Sequence, residues 1–296
     1  MRVFLTGATG FIGSAVIPEL INAGHQVLGL ARSDAGAKSL VALGAEVHRG
    51  EVEDLESLRK GASGADAVIH CAFIHDFTQY QANCEIDRRA IEALGSALEG
   101  SDRPLIVTSG VAVLAPGRLA TEEDPSIPSS MMPRAATEEA ADSVASRGVR
   151  VSVVRLPQVH DREKQGLVTL AIVLAREKGV SAYVGDGANR WPASHRFDTA
   201  RLYRLVLEKG APGARYHAVA EEGVRIRDIA EVIGRRLNIP VVSKSPQEAA
   251  EHFGWFGAFA GLDCPASSAL TQRRLGWRPV ETTMLADLER ATNLER

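Results

Sequence analysis

The sequence predicts an α/β chain built as a doubly wound parallel sheet with a smaller C-terminal lobe. Two observations carry this. Short, uniformly apolar strands alternate with helical stretches over residues 1–160, and strands of that kind are buried on both faces, as in a parallel sheet covered by helices. The first strand also runs directly into a glycine-rich turn and then a helix.

The elements follow in order. Arg2 to Thr6 is the first strand, and a helix runs from about Phe11 to Ala23. Val27 to Ala31 is the second strand, Ala37 to Leu43 a helix, and Ala45 to His48 the third strand. Asp54 is placed as the N-cap of a helix ending at Lys60, because its carboxylate can accept from the free N–H groups of the first turn. Ala65 to His70 and Leu105 to Thr108 are the fourth and fifth strands. Between them Ile86, Ala90, Leu94 and Leu98 recur at helical spacing and mark a long helix. A helix over Thr137 to Arg147 precedes the sixth strand, Val149 to Arg155. Beyond residue 160 the rhythm loosens into helices at Leu167 to Lys178, Asp198 to Glu208, Arg227 to Leu237 and Met284 to Ala291. One more strand is read at Tyr216 to Val219. Phe253 to Phe259 is an aromatic cluster that either packs the small lobe or lines a pocket.

Composition excludes several classes. A chain of 296 residues, 45% hydrophobic and 24% charged, can bury a full core. A net charge of −3 does not suit a nucleic-acid or membrane surface. The uncharged run from Val3 to Pro18 is broken by glycines, so neither a membrane span nor a signal peptide is expected. Cys71, Cys84 and Cys264 are widely spaced, which fits a reducing cytoplasm rather than a disulfide framework. The histidines lack zinc-ligand spacing, so no metal site is expected.

Ligands of such a sheet bind at the carboxyl ends of its strands. There the turn Thr6-Gly7-Ala8-Thr9-Gly10-Phe11-Ile12-Gly13 has the pattern that receives a dinucleotide pyrophosphate. Gly7 permits the tight turn, Gly10 the approach of the phosphates, and Gly13 the close packing of helix on strand. Thr9, Phe11 and Ile12 complete the cradle. An acid at the end of the second strand would bind the ribose of NAD; the chain has Arg32-Ser33 there, which suits the 2′-phosphate of NADP. Asp34, one residue on, competes as a ribose ligand. NADP is therefore expected over NAD.

The spacing Gly7-x-x-Gly10-x-x-Gly13 resembles the extended short-chain dehydrogenase/reductases, often called NAD-dependent epimerase/dehydratases. Val68-Ile69-His70-Cys71-Ala72, Thr108-Ser109-Gly110, Arg155-Leu156-Pro157-Gln158-Val159-His160 and His195-x-x-Asp198-x-Ala200 are similar to four further segments of that family, in order. The resemblance implies a Rossmann-like fold and adds Cys71, Ala72, Pro157 and Val159 to the cofactor site, with Glu51-Val52 near the adenine. It also implies a homodimer.

The family's reaction uses a Tyr four residues before a Lys, and no Tyr-x-x-x-Lys occurs in this chain. The two positions fall at Arg134 and Glu138, so the chain resembles an atypical branch. Candidates for the chemistry are Ser109, His75, Asp76 and His160, with Tyr80 one turn further on. Against these stand structural roles: Ser109 ending a strand, Asp76 capping the long helix, His75 solvated and His160 packed. Arg134 is either an anion anchor or helix cover, and Arg190 and Trp191 either touch substrate or pack. The expectation is an NADPH-dependent oxidoreductase acting on a carbonyl- or imine-type small molecule. A cofactor-binding sensor without turnover and a non-redox isomerase or lyase are the alternatives. Residues 1–160 and about 196–220 are expected to form the cofactor domain, and 161–195 with 221–296 the substrate lobe.

Overall fold

The computed structural model describes residues 1–294. In its first half the strands are β1 Arg2–Thr6, β2 Gln26–Ala31, β3 Glu46–Arg49, β4 Ala67–His70, β5 Pro104–Gly110 and β6 Arg150–Leu156. The helices there are α1 Gly13–Asn22, α2 Asp34–Ala42, α3 Leu55–Ser63, α4 Tyr80–Ser96 and α5 Ala136–Ser146. The later strands are β7 Gln158–His160, β8 Ser181–Val184, β9 Arg190–His195, β10 Arg215–His217, β11 Glu221–Arg225 and β12 Val241–Lys244. The later helices are α6 Val168–Lys178, α7 Arg196–Lys209, α8 Ile226–Leu237, α9 Pro246–Phe253, α10 Gly257–Ala260, α11 Ala269–Leu275 and α12 Met284–Glu289.

The main sheet is parallel, with order β10-β6-β5-β4-β1-β2-β3. The strand order reverses between β1 and β4, so the connections that leave their carboxyl ends run to opposite sides and open a crevice there. One face packs Val16, Leu20 and Leu40 of α1 and α2 against Leu202 and Tyr203 of α7. The other packs Leu58, Ile91, Leu94 and Val144 of α3, α4 and α5. Local chemistry sets the helix starts: Asp54 accepts from the Ser57 N–H to begin α3, and Ser33 accepts from Gly36 to begin α2.

The smaller lobe holds a three-stranded sheet, β11-β9-β7, and the pair β12-β8. Its core joins Ile172, Trp191, Ile229, Ile233, Phe253, Phe256 and Leu288. The five short strands of this lobe were not read from the sequence; Glu221–Arg225, for example, buries little beyond Val224. Residues 269–277 depart from the expected division. Leu275 and Trp277 pack into the main core, and the Trp277 indole donates to the Asp198 carbonyl at 2.9 Å. Among the described residues no helix is long and apolar enough to cross a membrane.

Candidate active site

The glycine turn is shaped as a cradle. Gly7 has φ +67°, and a Cβ there would lie 2.6 Å from the Ala72 nitrogen. A Cβ on Gly13 would lie 2.2 Å from the Gly7 carbonyl oxygen, so α1 can seat on β1 only with glycine. No side chain caps α1, and its first turn holds no acid. Its N–H groups and the positive end of its dipole thus face the crevice without a side-chain partner, which fits a pyrophosphate.

At the end of β2, Arg32 is exposed and makes no ion pair or hydrogen bond among the described residues. Asp34 is bound by Arg49, which donates to its carboxylate at 2.6 Å and to the Ser33 carbonyl at 2.6 Å. The Ser33 hydroxyl accepts from Gly36 at 3.1 Å. Glu51 is exposed and Val52 half-buried against the core. The residues offered at this corner are therefore two guanidiniums and a hydroxyl, with the competing acid already paired.

Deeper in, polar groups line up behind the crevice floor. His70 donates from Nε2 to Asp87 at 3.1 Å, and its Nδ1 accepts from Thr6 at 2.8 Å. Thr6 in turn accepts from the Ala72 N–H at 3.3 Å. Arg134 donates to Asp87 at 2.6 Å and to the Thr108 carbonyl at 2.9 Å. Its guanidinium also lies 4.1 Å from the centre of the Phe73 ring. Burial pushes the Asp87 carboxyl up, but Arg134 and His70 outweigh it and hold it at about 2. The Arg134 position thus carries a fixed cation rather than a titrating phenol.

Glu138 is equally committed. Arg155 grips it with two bonds of 2.8 Å, both side chains fully buried, and Arg155 also donates to the Asp124 carbonyl at 2.9 Å. Burial alone would raise the Glu138 carboxyl; the Arg155 contacts bring it below its ordinary value.

The structure separates the candidates. Ser109 is buried at the carboxyl end of β5, and its Oγ has no hydrogen-bond partner of good geometry, although the Glu138 carboxylate feels it. His75 lies exposed beyond β4 against Phe73 and Phe77, and partial desolvation of its ring together with Lys164 and Arg134 lowers its pKa. Asp76 caps the short 3-10 turn over 77–79 through Thr78, at 3.0 Å to its N–H and 2.6 Å to its hydroxyl, which lowers its pKa. A capping carboxylate that stays ionised is a poor proton donor, so Asp76 takes the structural role. His160 also turns away. It is fully buried, donates from Nδ1 to Asp287 at 2.9 Å in the smaller lobe, and is held neutral by burial. A Ser109-His75-Asp76 relay is not formed, since Asp76 bonds to Thr78. Arg190 pairs with Asp263, and Trp191 is buried and donates to the Leu262 carbonyl, so both build the lobe.

Pro157 is half-buried and Val159 buried beside β6, and Cys71 follows β4 with its thiol raised to about 11 by burial. Sequence reading missed Arg49, Asp87, Lys164 and Arg196. Arg196 lies 4.8 Å from the centre of the Phe11 ring and donates to Asp161 at 2.9 Å and Ser14 at 3.3 Å. Lys164 approaches the same ring at 5.7 Å. Only Asp87 left a signal, as an acid on the buried face of a long helix.

The parallel seven-stranded sheet and its flanking helices define a Rossmann-like architecture. The family profile described as "NAD dependent epimerase/dehydratase family" matches residues 3–219, and the chain belongs to that family. It is 50% identical over 290 residues to an uncharacterized protein of Schizosaccharomyces pombe, covering 97% of this chain and 98% of that one. It is 29% identical over 246 residues to a sterol-4-alpha-carboxylate 3-dehydrogenase, decarboxylating, of Dictyostelium discoideum, covering 76% and 73%. A ketoreductase of Stigmatella aurantiaca, named for a 4-hydroxy-2-methyl-3-oxo-4-farnesyl-3,4-dihydroquinoline-1-oxide, is 26% identical over 269 residues, covering 86% and 80%. Among solved structures, the dTDP-glucose 4,6-dehydratase DesIV of Streptomyces venezuelae superposes with a TM-score of 0.79 at 20% identity, covering 99% and 96%, which supports the fold.

Proposed function

We propose that the chain is an NADPH-dependent oxidoreductase that reduces a carbonyl- or imine-type small molecule without a Tyr-Lys pair. One observation carries the reading: an uncapped, glycine-lined helix start lies in the same crevice as unpaired Arg32, with the nearby acid Asp34 already held by Arg49. The relatives named as a dehydrogenase and a ketoreductase support hydride chemistry at such a site.

Bound NADPH would supply the hydride. The carbonyl carbon receives it and the oxygen takes a proton, giving an alcohol. Arg134 cannot release a proton at any working pH. Its part is electrostatic: a cation fixed by Asp87 and the Thr108 carbonyl stabilises charge developing on the substrate oxygen. Ser109 donates a hydrogen bond to that oxygen. The proton comes from His75 or from water that His75 orients, because Asp76 and His160 are otherwise bound.

The reading is tested by following NADPH absorbance with a panel of aldehydes, ketones and imines. Turnover is expected with NADPH preferred over NADH. Tight NADPH binding with no turnover across the panel would make the chain a cofactor-binding sensor instead.

A further inference from the structure

We propose that the substrate carries a flat aromatic ring conjugated to its carbonyl, held by stacking where Phe77 now meets Trp255. The inference rests on the reductase reading above and narrows its substrate.

In a chain only 5% aromatic, Phe73, Phe77, Tyr80, Trp255 and Phe259 converge beyond the carboxyl end of β4. Phe77 and Trp255 lie with centroids 4.9 Å apart and planes 13° apart. Every other ring pair among the described residues meets edge-on or tilted. The parallel pair is therefore the one place already shaped to the face of a flat π system. Aromatic side chains that pack a core hide their rings, yet Trp255 is 48% exposed, whereas Trp191 and Trp277 are 4% and 1% exposed.

The two rings come from separate 3-10 turns, 77–79 after β4 and 254–256 in the smaller lobe. No hydrogen bond or ion pair among the described residues joins these turns, so the rings can part without breaking a polar contact. A planar ring entering there exchanges one ring face for two. An aliphatic ring or chain gains no such match.

Charge at the mouth selects the ring's partner group. The Arg134 guanidinium lies 4.1 Å from the centre of the Phe73 ring, which meets both His75 and Tyr80, and the Asp76 carboxylate is bound to Thr78. A guanidinium thus stands at the inner end of the ring cluster, where a carbonyl oxygen would lie. Conjugation to that carbonyl draws electrons from the ring and improves its stacking on an electron-rich indole.

Calorimetric titration of the NADP⁺-saturated protein tests the proposal without turnover. 2-Acetonaphthone should bind at least tenfold more tightly than its saturated analogue 2-acetyldecalin. Trp255→Leu and Phe77→Leu should each weaken 2-acetonaphthone at least tenfold while leaving NADP⁺ affinity and the melting temperature unchanged. Equal binding of the two ketones, unchanged affinity in the Leu variants, or displacement of 2-acetonaphthone by UDP would overturn it. Selective binding without NADPH oxidation would retract the reductase reading and leave the ring site standing. Reduction of aliphatic ketones with no aromatic preference would do the reverse.

Discussion

Arg134 and Asp87 meet at 2.6 Å directly behind the carboxyl ends of β4 and β5, and the same guanidinium covers the Phe73 ring. The pair turns a position associated with proton transfer into a fixed positive charge. Asp87 is 2% exposed, so removing its partner leaves a buried anion. Arg134→Leu is expected to cost about 3–5 kcal/mol, the usual penalty for breaking a buried pair from one side. Denaturant titration checks this. Asp87→Asn with Arg134→Gln should recover part of the loss and not the turnover.

The Arg155–Glu138 pair makes the complementary case, since both side chains are 0% exposed. Either single change, Arg155→Met or Glu138→Leu, is expected to destabilise by about 3–5 kcal/mol. The double variant should be much milder, because two well-packed apolar side chains leave no charge stranded. A double-mutant cycle in urea reads the difference. Equal losses in all three would show that the pair's shape, not its charge, matters.

The proposed preference for NADPH rests on the corner after β2. Arg32→Ala is expected to weaken NADPH about tenfold to a hundredfold, the range for a lost charge-assisted contact, and to leave NADH nearly unchanged. Fluorescence titration of both cofactors measures it. Gly7→Ala should abolish binding of either, since its φ of +67° and the 2.6 Å approach to Ala72 admit no side chain.

His217 makes stability depend on pH. It donates from Nδ1 to the Ser267 carbonyl at 2.7 Å and accepts from Arg155 at Nε2, 3.3 Å away. Burial first, then Arg155, lower its pKa to about 4. The folded chain therefore binds this proton less readily than the unfolded chain. Stability is full above about pH 6.5, the unfolded value, and falls as the pH drops toward 4, by about 3 kcal/mol for a shift of this size. Urea midpoints from pH 7 to 4 should show that slope, and His217→Gln should flatten it.

The glycine cradle was legible because backbone geometry leaves only glycine at Gly7 and Gly13, and a sequence displays that restriction directly. The seven-stranded sheet was legible for a similar reason: full burial demands apolar runs such as Ala67–His70. The catalytic candidates fared differently. The sequence offered Asp76 both as a cap and as a cleft acid, and its bonds to Thr78, two residues on, decide for the cap. His160 depends on Asp287, and Arg134 on Asp87; both partners are remote in the chain, and neither pairing leaves a local pattern. The aromatic cluster was visible as composition, but its division was not. Phe253 and Phe256 enter the lobe's core, whereas Trp255 and Phe259 cross to Phe77 and Tyr80.

The central claim is hydride transfer without the Tyr-Lys pair. It is tested most directly by tracing deuterium from NADPH that carries deuterium at both C4 positions of the nicotinamide into the product of whichever panel carbonyl is turned over. The account predicts one deuterium on the new carbinol carbon, in Arg134→Lys as well as in the parent, with turnover rising as the pH falls below the ordinary histidine range until His75 is replaced by Gln. Product without deuterium, or cofactor that stays reduced while substrate rearranges, would contradict it.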